Sequence, residues 1–281
     1  MSQTVKTIYD YIDSIAPFES ASGWDNVGLL LGNYDSNVEK ILLALDITEE
    51  VVDEAVIGQY NLIVTHHPLI FSGIKEINNT SRAGRMILKL IEHKISVIAA
   101  HTNLDRSYPF GINRYICELY GLNNLKVLNE EEGFGLVGTF DNPISFDDFI
   151  IKTKLLFDID IVKIANLDHR TYHYYQSNTE QINEVFSQEI KKVAISSGAS
   201  SDFIKDALRC SSDVFITSDI KYHEAQSVIS TSLILVDVGH FESEFIYLNR
   251  LKSLLDAKLN HTNTPIVIKV TDTEMPVFRY L

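Results

Sequence analysis

The sequence predicts an α/β fold with mixed, largely parallel sheets, and three observations carry that expectation. Short apolar runs at 41–45, 62–64 and 96–100 read as strands buried on both faces. Helical patterns separate them, one opening at Thr48 with Glu49 and Glu50 in its first turn, the next over 83–93. The order strand, helix, strand, helix, strand means a parallel sheet. The runs also end in histidine and carboxylate residues, and the carboxyl ends of strands are where an open α/β sheet binds ligands.

The first helix follows from apolar residues at Val5, Ile8, Tyr9, Ile12 and Ile15, a single stripe closed by Pro17. Residues 23–32 place the one tryptophan, Trp24, beside Asp25 and Asn26 among three glycines, a loop entering a strand. From about Asn123 to Ser230 the texture changes. A polar break at 129–133 precedes a short strand at 134–140, a turn signal at 141–143 and a helix from Ser145 through Leu156. Further strands are expected at 159–165, 171–176, 193–196 and 214–219. A last apolar run from Leu233 ends in polar residues through Glu244, a helix follows to Leu259, and a strand is expected at 266–270. This second half has its own alternation and reads as an inserted α/β domain: 127–231 set into a discontinuous domain of 1–126 and 232–281.

Composition bounds the function. With 281 residues and 45% hydrophobic content the chain can bury a real core. A formal charge of -14 and the lack of a basic run argue against a dedicated nucleic-acid binder. Cys117 and Cys210 are too few and too far apart for a disulfide framework or a thiolate zinc site, which points to a reducing cytoplasm. The N-terminus opens an amphipathic pattern and no apolar run reaches membrane-spanning length.

The chemistry concentrates at three strand ends, which offer His66 and His67, His101 and Asp105, and His240 and Glu244. Successive strand side chains point to opposite faces, so His66 and His67 serve one site only if the backbone leaves strand geometry there, as Pro68 suggests. His240 and Glu244 share a helix face if a helix starts at the glycine-histidine step; the same spacing relates His101 to Asp105, across more loop-like residues. All six suit zinc, manganese, iron or a similar divalent ion. Six donors exceed the needs of one tetrahedral ion, whereas two ions bridged by a carboxylate would use them, and two-metal sites stabilise both attacking and leaving groups in hydrolysis.

Other residues carry plainer readings. A single strand-end histidine is more often a hydrogen-bonded surface residue, and His93, His169, His173 and His261 lack any richer setting. Asp219, Lys221 and His223 are either a solvated turn and helix start or the charged wall of the same cleft, with Lys221 meeting an anion and His223 moving a proton. Trp24, Asp25 and Asn26 read as a packed corner in preference to a substrate contact, because a loop tryptophan usually anchors.

The segments 23–29, 65–71, 100–105, 217–223 and 239–244 together resemble the Nif-three-like family, whose members are often named GTP cyclohydrolase I type-two homologues. The match runs through the whole chain in order. The resemblance implies two interlinked α/β domains, the second inserted into the first, and a ring-shaped homohexamer. It implies a dinuclear centre on His66, His67, Asp105, His240 and Glu244, with Glu244 bridging and His101 beside the ions. Ser218 stands where the family usually has glycine, and residues 196–199 are poorer in glycine than is usual.

The implied activity is hydrolytic opening of the guanine ring of GTP, with His101 or His223 shuttling protons and Lys221 facing phosphate. Phosphoester cleavage would use the same centre. A metal-binding or adaptor ring protein without turnover is the non-enzymatic alternative.

Overall fold

The computed structural model describes residues 3–167, 188–260 and 265–279. It divides into two compact units, 1–111 with 245–277, and 112–244 with 278–281. The boundaries fall elsewhere than the sequence suggests, because the strands around 123–129 and 234–237 hydrogen-bond into the sheet of the second unit. His240 and Glu244 therefore belong to that unit.

In the first unit, helix α1 (Val5–Ile15) is capped by Thr4 and buries Val5, Ile8, Ile12 and Ile15, the stripe its sequence presents. Strands β1 (Gly28–Leu31), β2 (Lys40–Ala44), β3 (Leu62–Thr65) and β4 (Ser96–Ala99) join the last strand, β11 (Val267–Val270), in the order β1-β4-β3-β2-β11. Only β1 runs antiparallel; β2, β3, β4 and β11 pair in parallel. Helices α2 (Glu49–Ile57) and α3 (Arg82–Glu92) supply the crossovers, each opened by a side-chain cap, Thr48 to the Val51 N–H and Ser81 to the Gly84 N–H. Leu42, Ala44, Ile63 and Val97 of the sheet pack against Val51, Val52, Ala55, Met86 and Leu90 of these helices. Burial of each such large aliphatic side chain contributes about 1.5–3 kcal/mol.

The second unit starts with α5 (Ile112–Tyr120), which follows a short helix α4 (Thr102–Arg106) at the end of the first. Its sheet holds β5 (Asn123–Asn129), β6 (Phe134–Ser145), β7 (Lys163–Ala165), β8 (Glu189–Ile195), β9 (Val214–Thr217) and β10 (Ile234–Asp237), in the order β5-β6-β8-β9-β10-β7. The trio β8, β9 and β10 is parallel, and the outer pairings are antiparallel. Val137, Ala194, Phe215 and Leu235 form its core with Ile204 and Ala207 of α7 (Ile204–Arg209).

Several expectations need correction. Residues 141–143 are no chain-reversing turn: β6 runs on to Ser145, and its register with β8 shifts between Thr139 and Ile144, an irregularity that accommodates Pro143. The strand expected at 159–165 is confined to Lys163–Ala165. The helix expected after Glu244 and up to Leu259 is α10 (Leu248–Leu259), and a separate short helix, α9 (His240–Phe245), precedes it. Ser145 caps α6 (Phe146–Phe157) as its sequence indicates. The strand expected at 171–176, and His169, His173 and His261, lie outside the described residues. Among the described residues no helix is long and apolar enough to cross a membrane.

Candidate functional site

In the first unit the donors stand at the carboxyl ends of adjacent parallel strands. The order β4-β3-β2 brings Ala100 and His101, His66 and His67, and Asp46 to one edge of the sheet. The backbone bends at 66–67 as the two histidines require. His66 turns toward β4, where its Nδ1 donates to the carbonyl of Ala100 (2.9 Å). His67 turns toward β2, where its Nδ1 donates to Asp46 Oδ1 (3.0 Å). The loop carrying Asp46 is itself pinned, since Glu274 accepts from the backbone N–H groups of Leu45 and Asp46. Burial pushes the Glu274 carboxyl up to about 7 against the opposing pull of those two hydrogen bonds.

His101 opens α4, which does form despite its loop-like residues, so Asp105 lies one turn beyond His101. His101 Nδ1 donates to Asp25 Oδ1 (2.9 Å), and Asp25 Oδ2 accepts from the backbone N–H of Thr102 (3.1 Å) and from its hydroxyl. Burial works against the charge on Asp25, and these bonds from His101 and Thr102 overcome it, holding the carboxyl well below the usual carboxylate range. One ring nitrogen each from His66, His67 and His101 lies within 4.8 Å of the others. Asp105 Oδ1 stands 3.7 Å from His66 Nε2. The structure thus places His101 within this donor group, beside the residues that the family resemblance implies as ligands.

The second unit repeats the plan with different parts. The carboxyl ends of β8, β9 and β10 present Gly198, Asp219 and His240. Helix α9 begins at His240, after Gly239 at φ +89°, so His240 and Glu244 share one face and His240 Nε2 lies 3.2 Å from Glu244 Oε2. Asp219 Oδ2 accepts from His240 Nδ1 (2.7 Å). Glu244 is 4% exposed and packs against Gly198, where a Cβ would fall 2.2 Å from its Oε1. Gly198 also holds φ +65°, so a side chain there would be strained and would have to displace the Glu244 carboxylate.

All four histidines share one electronic arrangement. A carbonyl or carboxylate oxygen can only accept, so each Nδ1 carries a proton, and in the neutral ring the lone pair is then on Nε2. Metal-ligating histidines are held in this way, with the other ring nitrogen donating to an outer oxygen. Imidazole and carboxylate donors fit divalent zinc, manganese or iron. The donor chemistry of both units fits a metal ion.

Lys221 and His223 are placed less distinctively. Both are exposed on the opening turn of α8 (Tyr222–Gln226), Lys221 with Glu224 (3.5 Å) and His223 Nδ1 with Gln226 (3.3 Å). The outer aspartates Asp46 and Asp25 were not singled out as histidine partners by sequence reasoning, although Asp46 closes an apolar run in the same manner as the histidines. Gly198 had only its glycine-poor loop as a signal. The corner at Trp24 also needs correction: Asp25 and Asn26 anchor it, and Trp24 is 61% exposed.

Comparison with known proteins agrees with this architecture. The chain is 34% identical over 93% of its length, and 95% of the relative's, to a Clostridium perfringens protein named GTP cyclohydrolase 1 type 2 homolog. It is 31% identical to a Campylobacter jejuni protein of the same name, over 97% of this chain and 98% of that one. Among solved structures, a Staphylococcus aureus hypothetical protein superposes with a TM-score of 0.85 at 28% identity, over 100% of both chains. Reduced HcgD from Methanocaldococcus jannaschii superposes with a TM-score of 0.78 at 28% identity, over 97% of this chain and 99% of that one. The family model for Duf34/NIF3 (NGG1p interacting factor 3) matches residues 3–276, and the chain belongs to that family.

Proposed function

We propose that the chain is a metal-dependent hydrolase that holds two divalent ions, with His66, His67 and Asp105 of the first unit and His240 and Glu244 of the second as ligands. Its substrate is nucleotide-like, and the reaction is hydrolytic opening of the guanine ring of GTP. The observation that carries the reading is the shared tautomer of His66, His67, His101 and His240, each with Nδ1–H given to an oxygen. The names of the Clostridium and Campylobacter relatives support the substrate class.

Divalent ions bound there would supply Lewis acidity and acidify water. The chain's own residues handle the protons. With Nδ1–H committed to Asp25, His101 accepts at Nε2 the proton of the water that attacks the imidazole-ring carbon of guanine, and returns it to the ring nitrogen that leaves. Asp25 stays ionised and stabilises the imidazolium that forms in between. Lys221 and His223 serve as an exposed phosphate-facing cation and a second proton carrier. A ring-shaped homohexamer in the cytoplasm is the setting we propose, and Cys117 and Cys210, both free thiols, fit a reducing compartment.

Incubation of the metal-loaded protein with GTP and, separately, with a generic phosphodiester tests this reading. Consumption of GTP to the ring-opened formamide, with formate released where a second water then cleaves that formamide, and loss of both in His101→Ala with metal content retained, is the expected result. Phosphate or alcohol release with no ring opening would identify a phosphoesterase, and full metal loading without turnover of either would leave a metal-binding ring protein.

A further inference from the structure

The turn at Trp24, Asp25 and Asn26 inverts the usual relation between polarity and burial. The Asp25 carboxylate is wholly buried, while the indole next to it is 61% exposed. The turn is nevertheless firmly held. Asp25 accepts from His101 and Thr102, and Asn26 Nδ2 donates to the carbonyl of Ile70, immediately before Phe71. Phe71 is 52% exposed, and its ring lies 5.8 Å from that of Trp24 at an interplanar angle of 39°. The Trp24 ring meets His101 edge-on at 6.0 Å. Two large aromatic faces thus stand in solvent on anchored backbone, at the rim of the His66, His67 and His101 group.

We propose that Trp24 and Phe71 form a stacking subsite for the planar heteroaromatic ring of the substrate, a nucleobase or a ring of that class, and that His101 addresses the edge of the bound ring. This rests on the reading of the histidine group as a catalytic site, and adds where the substrate's ring is held. Three features favour a small planar ring as the occupant. The aromatic pair is continuous with the histidines through the Trp24 and His101 contact. Aromatic faces accept any base through its π-face, so no hydrogen-bonding pocket is needed for affinity. The net charge of -14 disfavours capture of an anion by the overall field alone, so a ring contact adds affinity that the field does not. A second copy of the chain is the competing occupant, since Ile74 and Ile77 further along the same loop are also exposed.

Trp24 is the chain's one tryptophan, so intrinsic indole emission reports this subsite alone. The full-length protein, metal-loaded and metal-stripped, is titrated with guanosine 5′-monophosphate and with ribose 5-phosphate, which lacks the base. The expected result is saturable quenching by the nucleotide, none by the sugar phosphate, and binding weakened about tenfold in Phe71→Ala at unchanged metal content. Emission indifferent to guanosine and adenosine monophosphates alike overturns the proposal. So does emission that changes only on dilution of the protein, which assigns the face to a second copy. Saturable quenching without GTP turnover leaves the subsite standing and removes the hydrolase reading, whereas GTP turnover without any emission change removes the subsite alone.

Discussion

The two donor groups follow one plan and reach it by different routes. Each stands at the carboxyl edge of three adjacent parallel strands, β4, β3 and β2 in the first unit and β8, β9 and β10 in the second. In each, a histidine is fixed by an aspartate from the neighbouring strand end, His67 by Asp46 and His240 by Asp219. The first group assembles three histidines from two strands by long-range pairing, whereas the second places His240 and Glu244 one helical turn apart and clears space for the carboxylate with Gly198. A local helix turn needs a glycine to admit its ligand; a strand edge needs the correct sheet order.

The largest effect is expected where the second group is tightest. Gly198→Val puts a branched side chain where a Cβ already lies 2.2 Å from Glu244 Oε1, at a φ of +65°. It should lower the metal retained per chain, as read by metal titration; unchanged uptake would mean that Glu244 is not a ligand in this conformation.

The outer aspartates come next, and they test whether the two routes are equivalent. Asp219→Ala and Asp46→Ala should each weaken metal affinity about 10–100-fold, the range for removal of an outer partner of a ligating histidine. An effect from one and none from the other would break the parallel between the units.

The smallest effect concerns support of the first group. Glu274, whose carboxyl burial raises to about 7 from an ordinary 4.5, binds its proton more tightly folded than unfolded. Its contribution to stability is therefore fully present below 4.5 and is lost as pH rises through 7. In urea unfolding, Glu274→Gln should gain on the wild type progressively between those two values; a constant difference across that interval would contradict the shift.

Much of this was legible in the residues, for reasons the comparison makes plain. The apolar runs of β3, β4, β9 and β10 announce strands buried on both faces, and all four are buried at every position. The spacing of His240 and Glu244 announces a shared helix face because that relation is local. Long-range relations were harder to read. That Asp46 reaches His67, and Asp25 reaches His101 across 76 residues, follows from the strand order and from the path of the loop before β1, neither of which local periodicity encodes. Trp24 misled because a loop tryptophan usually packs, whereas here its polar neighbours do the anchoring.

The most direct test of the account is metal content per chain by elemental analysis under metal-replete conditions, wild type beside Glu244→Ala. Two ions per wild-type chain, with loss in the variant, is the predicted result. A wild-type value near zero would contradict the account and leave the four fixed histidines as structural residues of the two sheet edges.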